Sequence, residues 1–294
     1  MAQFVVGGST FGIATFKVKT ATAGTQATVR EMKFGTTGVD AIESITVGGV
    51  TATVLGNGAT ATTTVSGLSI VVGSTGTDVP VTVKFSGFQG TTNGGSLLQS
   101  LPSVGITLSY VEATSGSGSV ITSYTQVPSS VMKLVASKPT VTVSAGGTDS
   151  LSIGALSKIG EFTVTADANG KIAVGSTTIN ISTVGITAPE MATGTLAIKD
   201  GGVAVSNVNY DLGYSSTTPV ISFTTPYEIG AGQSKTFSVY GTINGAAVSG
   251  IVPRANTSLT AGGFNWYDVI GGNTVQSGSS IYNFPSNSYT TKTN

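Results

Sequence analysis

Apolar and polar residues alternate with a period of two along most of this chain, and that rhythm permits little except β-sheet. Phe16 and Val18 alternate with Lys17 and Lys19, and Val79, Val81, Val83 and Phe85 alternate with Pro80, Thr82 and Lys84. The same pattern joins Ile106, Leu108 and Tyr110, Val141 and Val143, and Phe162 and Val164. Successive side chains on a strand point to opposite faces, so each stretch predicts one face in a core and one in water. Turn residues punctuate the strands at Gly48-Gly49, Asn57-Gly58, Asn93-Gly94, Asn169-Gly170, Asp200-Gly201 and Gly230. No stretch reads as a helix; Gly94–Leu101 is too short and too rich in Gly and Ser.

The chain repeats itself in order. Thr15-Phe16-Lys17-Val18-Lys19 matches Glu161-Phe162-Thr163-Val164-Thr165, and Gly48-Gly49-Val50 matches Gly201-Gly202-Val203. Val72-Gly73 followed by Val81-Thr82-Val83 matches Ile229-Gly230 followed by Phe237-Ser238-Val239. Tyr124-Thr125-Gln126-Val127-Pro128-Ser129 matches Tyr282-Asn283-Phe284-Pro285-Ser286. Two copies of one sandwich are expected, a length of 294 residues being apt for two domains. The expected boundaries are residues 1–137, with an N-terminal arm, and residues 138–294. Pro139 ends one ladder and begins the next strand.

Composition narrows the chemistry. Charged residues are only 9% of the chain, against about 25% in an ordinary domain. Thirteen basic and thirteen acidic residues cancel. A neutral, charge-poor surface argues against nucleic acid or an anionic membrane as partner, and it suits packing against copies of itself. No apolar run reaches the roughly 18–20 residues of a membrane span. The opening Met1–Gly12 lacks the basic and long apolar regions of a signal peptide. Secretion therefore implies a leader already removed; a virion protein made in the cytoplasm would need none.

The Lys138-Pro139-Thr140-Val141-Thr142-Val143 joint, followed by Phe162-Thr163-Val164-Thr165-Ala166-Asp167-Ala168-Asn169-Gly170, resembles tandem immunoglobulin-like repeats of large bacterial surface proteins. Gly230–Val239 is similar to their late strands, as is Phe264-Asn265-Trp266-Tyr267-Asp268. The resemblance implies an all-β fold of two tandem immunoglobulin-like antiparallel β-sandwich domains, in a cell-surface or appendage protein. It carries no functional residues.

The chain has no His and no Cys, which removes imidazole- and thiolate-based catalysis and metal sites. No basic residue after Lys138 stands in a Ser-x-x-Lys setting. Glu161, Glu190, Asp211, Glu228 and Asp268 are far apart in sequence and beside turns, a poor start for a two-carboxylate hydrolase. The Asp167-Ala168-Asn169-Gly170 turn offers two oxygen side chains where calcium wants six or more oxygens, so a plain hairpin turn is expected. Gly7-Gly8 and Gly56-Asn57-Gly58 lack the strand–loop–helix setting of a phosphate cradle. No enzyme activity, cofactor, metal or catalytic residue is expected. Phe264, Trp266 and Tyr267 form the one aromatic cluster; burial in the second core is favoured over a glycan or interface platform.

These readings predict a structural subunit of an extracellular filament or surface layer, its partner being copies of itself. An adhesin or carbohydrate-binding pair, with a glycan as partner, is the alternative, and a phage virion protein the second. Residues 1–138 carry seven basic and five acidic residues, and residues 139–294 carry six and eight. Head-to-tail stacking would set these opposite net charges together. The joint is expected at the arm Gln3, Phe4, Val5, Val6, with Gly7 and Gly8 as hinge. Domain 2 opens with a full edge segment, Lys138–Ser144, to which the short Gln3–Val6 corresponds. Domain 2 closes on Ser288–Lys292, which has almost no apolar side chain. The arm would complete domain 2 of the next copy, or else fold back as the first strand of its own domain.

Overall fold

A computed structural model describes residues 3–56, 60–87, 103–212, 217–270 and 275–293. The expected turns at Asn57-Gly58 and Asn93-Gly94, and the stretch Gly94–Leu101, lie outside the described residues. The chain divides into two units, one running to Ala136 and the other starting at Ser137. Each is an immunoglobulin-like sandwich of two facing sheets.

The strands of the first unit are β1 (Gln3–Val6), β2 (Thr10–Val18), β3 (Gln26–Thr37), β4 (Ile42–Val47), β5 (Val50–Thr53), β6 (Thr60–Gly73), β7 (Thr77–Phe85), β8 (Ser103–Ser115), β9 (Val120–Pro128) and β10 (Met132–Val135). One sheet runs β1-β10-β8-β3-β6, with β9 also on β8, and the facing sheet runs β2-β7-β4-β5. The core between them includes Phe34 and Met32 from β3, Ile42 and Ile45 from β4, Val81 and Val83 from β7, and Leu134 from β10, each fully buried.

The second unit holds β11 (Pro139–Val143), β12 (Gly146–Ser150), β13 (Leu156–Ala166), β14 (Ile172–Val184), β15 (Ile186–Met191), β16 (Ala197–Asp200), β17 (Val203–Ala204), β18 (Val208–Asp211), β19 (Val220–Ile229), β20 (Ser234–Ala247), β21 (Arg254–Asp268), β22 (Val275–Ser277) and β23 (Ser288–Lys292). Its sheets are β11-β13-β20-β16-β17, with β15 on β20, and β12-β23-β21-β14-β19-β18, with β22 on β21.

The two sandwiches share one sheet topology, to which the second adds β11, β15 and β18. β2-β7-β4-β5 corresponds to β13-β20-β16-β17, and β1-β10-β8-β3-β6 to β12-β23-β21-β14-β19. The glycine pairs close matching hairpins, Val47 opposite Val50 and Asp200 opposite Val203. Gly48, Gly49, Gly201 and Gly202 all have positive φ, the backbone a tight two-residue hairpin requires. Matching bulges seat Ile13 in β2 and Ile159 in β13, both buried.

The structure corrects the sequence reading at five points. Gln3–Val6 corresponds to Gly146–Ser150, not to Lys138–Ser144: β1 lies parallel to β10 as β12 lies parallel to β23. β11 pairs antiparallel with β13 and has no counterpart among the described strands of the first unit. Ser288–Lys292 is not empty of buried groups, since Tyr289 and Thr291 lie in the core. Asn169-Gly170 links β13 to β14 in the opposite sheet, so the turn is an arch between layers and not a hairpin. Tyr110 does not share the face of Ile106 and Leu108, because a register shift between Leu108 and Tyr110 turns it outward and Val111 inward. The match of Tyr124–Ser129 to Tyr282–Ser286 holds in chain order alone, one being strand and the other irregular.

Phe34 has no exposed surface and stacks near Phe16, ring centroids 6.1 Å apart. Phe34→Ala is expected to cost domain 1 about 3–5 kcal/mol, read as a lower urea midpoint by circular dichroism. An unchanged midpoint would contradict this packing.

Candidate assembly interface

A four-residue strand needs more than its ladder to stay in place, and β1 has it. Its residues pair in register with β10, Gln3 opposite Met132 through Val6 opposite Val135. Phe4, Val5 and Val6 are buried, and Val5 belongs to the domain 1 core. The following turn is tied down: the Gly7 amide donates to the Val135 carbonyl at 2.9 Å and the Gly8 amide to the Ser86 carbonyl at 2.9 Å. The Ser9 hydroxyl and amide both donate to the Val6 carbonyl. Gly8 has φ +78°, which suits a reversal of direction. The arm Gln3–Gly8 thus sits within its own domain, and Gly7-Gly8 forms a hydrogen-bonded turn.

The same slot in domain 2 is filled by different chemistry. β12 is Gly-Gly-Thr-Asp-Ser, and its pairing with β23 is irregular between Gly146 and Ser150. Side chains hold it instead. The Tyr289 hydroxyl donates to Asp149. Lys158 lies 3.4 Å from Asp149 and 2.7 Å from Glu161, and its ammonium sits over the Tyr289 ring. Ser238 donates to Glu161 at 3.2 Å. The hydrogen bond from Lys158 outweighs partial burial and holds the Glu161 carboxyl below its ordinary value.

β9 is a sheet edge of another kind. It pairs with β8 alone among the described strands, and it carries no charged residue. Val120, Ile121, Tyr124 and Val127 are 65%, 46%, 82% and 43% exposed. Sheet edges are ordinarily guarded by charge, proline or a bulge; here the guards are Pro128, at the strand's end, and the irregularity where Thr125 and Gln126 lie opposite Ser109.

The sequence-predicted aromatics separate. Phe264 and Trp266 point into the domain 2 core with no exposed surface, while Tyr267 lies half-buried on the other face of β21, over Gly175. Of the scattered carboxylates, Glu161 and Glu228 pair with Lys158 and Lys171, and Asp268 is buried. In the Asp167 turn, the carboxylate accepts from the Asn169 amide and side chain at 3.0 and 2.9 Å, so one of its oxygens serves the turn. Among the described residues no three acidic, His or Cys side chains group as a metal site, and no helix is long and apolar enough to cross a membrane.

Sequence reasoning missed a cleft of about 470 Å³ in domain 2, walled by Val203–Asn207, Phe223 and Thr225–Glu228. At its side the Tyr227 hydroxyl donates to Asp200 at 2.7 Å and Lys235 donates to the same oxygen at 2.8 Å. Burial and the Asp200 hydrogen bond raise the Tyr227 pKa. Burial opposes ionisation of Asp200, but Lys235 and Tyr227 together bring its pKa below the ordinary value. Nothing in the local sequence signals the cleft, because its walls come from two different sheets.

Glu161 has a depressed pKa when folded, so its contribution to stability is present above the ordinary value of 4.5 and is lost as pH falls through the folded value. Glu161→Gln is expected to flatten the acid limb of domain 2 stability below about pH 4.5, measured by urea unfolding across pH. An acid limb identical to that of the parent chain would refute this.

No protein-family model matches the chain, and no curated protein matches it. Solved structures with similar folds include the C-terminal domain of the Streptococcus agalactiae AgI/II polypeptide BspA (9% identity, 99% of this chain and 95% of that one, TM-score 0.25). The full-length major pilin RrgB of Streptococcus pneumoniae is 10% identical over 90% of this chain and 50% of its own, with a TM-score of 0.27. A putative membrane-anchored protein of Corynebacterium diphtheriae is 10% identical over 100% and 90%, with a TM-score of 0.25. Similarity at this level carries no functional argument for the chain.

Proposed function

We propose that the protein is a structural subunit of an extracellular filament or surface layer, joined head to tail by its N-terminal strand. The observation that carries this reading is the pair of equivalent slots, β1 on β10 and β12 on β23. β1 brings Phe4, Val5 and Val6 to its slot, whereas β12 brings no large apolar side chain to the other. A β1 released from its own domain therefore has a second parallel acceptor in domain 2 of a neighbouring copy. Exchange of that kind is heterologous and does not close on itself, so it generates an open polymer. Affinity would come from main-chain hydrogen bonds, and register from the side-chain pockets. Asp149 acts as the lock, since its contacts hold β12 in place.

A second reading, as an adhesin or carbohydrate-binding module, is favoured by the domain 2 cleft, where Phe223 and Tyr227 supply ring surface and Asp200 and Asn207 polar groups. Sugar-dependent quenching or a glycan array with a Tyr227→Ala control tests it.

The 294-residue sequence contains no Cys, which allows a clean test of strand exchange. Subunits carrying Gln3→Cys are mixed with subunits carrying Thr290→Cys, treated with a short bifunctional thiol cross-linker and imaged by negative stain. Strand exchange gives cross-linked dimers between the two kinds of subunit, several-fold more with Asp149→Ala added, and filaments in the image. Filaments without any such cross-link would sink the strand-exchange joint; no assembly at any concentration would sink the structural role.

A further inference from the structure

The guards of β9 protect only one half of it. Pro128 and the irregularity at Thr125 and Gln126 lie in its second half, leaving Val120–Tyr124 in unbroken register with Tyr110–Thr114 of β8. The Ser115 amide donates to the Ser119 carbonyl at 2.8 Å, which makes Ser115 and Ser119 a hydrogen-bonded pair. Such pairs alternate along an antiparallel ladder. The backbone groups of Ile121 and Ser123 therefore turn to β8, and those of Val120, Thr122 and Tyr124 turn to the open side. None of the described strands pairs with that side. The counterpart of β9 in domain 2 is β22, which also pairs with one strand alone, so the repeat places no further strand at this edge.

The side chains of the same three residues stand on the outer face of the sheet, opposite Thr114, Glu112 and Tyr110. Tyr124 is exposed but held. Its ring packs on that of Tyr110, centroids 5.1 Å apart, and the Lys33 ammonium lies 4.6 Å from the Tyr110 ring. The Tyr110 hydroxyl donates to Glu112 at 2.9 Å. A fixed aromatic ring and an exposed valine thus flank a threonine along a ladder with one side open.

We propose that this edge pairs with the same edge of a second copy, β9 against β9, antiparallel about a two-fold axis at Thr122. That register sets Thr122 opposite Thr122, and Val120 opposite Tyr124 on either side of the axis. Every outward N–H and C=O of the three residues then meets a partner, because these are the hydrogen-bonded positions of the new ladder. Each Tyr124 ring gains the Val120 side chain of the other copy, and an aromatic beside a β-branched residue is a favourable cross-strand pair. The contact is isologous, so it must be self-complementary, and it is: apolar meets apolar and hydroxyl meets hydroxyl. β9 brings no charge to it. A register centred on Tyr124 is poorer, since it runs through the irregularity and sets Pro128, which has no N–H, opposite Val120. A stretch this short falls well below the roughly 20–30 residues a side of a stable interface, so the pair is weak and closes as a dimer. It uses a different domain and a different edge from the proposed strand-exchange joint, and it stands without it.

Single cysteines in a chain that has none read the register directly. Thr122→Cys puts a thiol on the axis, where it meets its own copy. Ile121→Cys falls opposite Ser123 of the other copy, so it finds a thiol only when mixed with Ser123→Cys. Ala23→Cys, in an exposed turn, reports random collision. Disulfide-linked dimers are expected at least tenfold faster from Thr122→Cys than from Ala23→Cys, and faster from the Ile121→Cys and Ser123→Cys mixture than from either alone. In the parent chain, hydrogen exchange at the Val120, Thr122 and Tyr124 amides is expected to slow as protein concentration rises, with Ile121 and Ser123 unchanged. Thr122→Lys sets two ammonium groups face to face and is expected to abolish that dependence with an unaltered circular dichroism spectrum. Thr122→Cys dimers that form no faster than those of Ala23→Cys overturn the proposal. Exchange independent of concentration also overturns it, since the edge would then serve a different partner or none, and fastest linking through Tyr124→Cys overturns the register.

Discussion

Each sandwich is closed by a strand laid parallel to its last strand, and the rest of the structure depends on that pairing. β10 and β23 would otherwise be edge strands with one side of their ladder unsatisfied. β1 completes β10 with buried apolar side chains, while β12 completes β23 with a carboxylate held by Tyr289 and Lys158. The same geometric problem is solved once by packing and once by charge. Screening by salt weakens the ionic closure and not the hydrophobic one, so the two domains differ in what loosens them.

The scarcity of charge gives edges their importance. Six ion pairs are formed among the described residues, and the pairs at Lys84, Lys171 and Lys33 lie at the surface, where such contacts contribute little. Stability rests on two apolar cores and on backbone ladders, helped by cross-strand hydroxyl pairs such as Thr163 with Thr236 and Thr165 with Ser234. A surface poor in charge leaves exposed strands such as β9 with little to repel a neighbour.

Much of the fold was legible because alternation and glycine pairs act locally. Gly48-Gly49 and Gly201-Gly202 announce their hairpins since the turn demands positive φ at both positions. What was not legible is non-local or depends on one extra residue. The register shift beside Leu108 reverses Tyr110 without leaving a mark in the alternation. The parallel partner of Gln3–Val6 lies at Met132–Val135, and no spacing rule connects them. Tyr289 is a single aromatic among hydroxyl residues, so its strand looked empty although the ring is buried. At the candidate interface, the arm residues could be picked from sequence by their isolated apolar run, but the Asp149 cluster could not, because its four residues come from three strands.

The closing strand also fixes an order of events during synthesis. Gln3–Val6 leaves the ribosome ahead of its partner Met132–Val135, which follows only when nearly the whole domain has been made. At translation speeds of about 5–20 residues per second, the wait is on the order of ten seconds. Throughout that interval the nascent chain displays Phe4, Val5 and Val6 without a ladder to join. Domain 2 repeats the delay with Gly146–Ser150 and Ser288–Lys292, but the segment left waiting there is glycine-rich and polar. The hazard of premature pairing on the ribosome is therefore concentrated at the first domain, and a trigger-type chaperone that shields short apolar segments would act there.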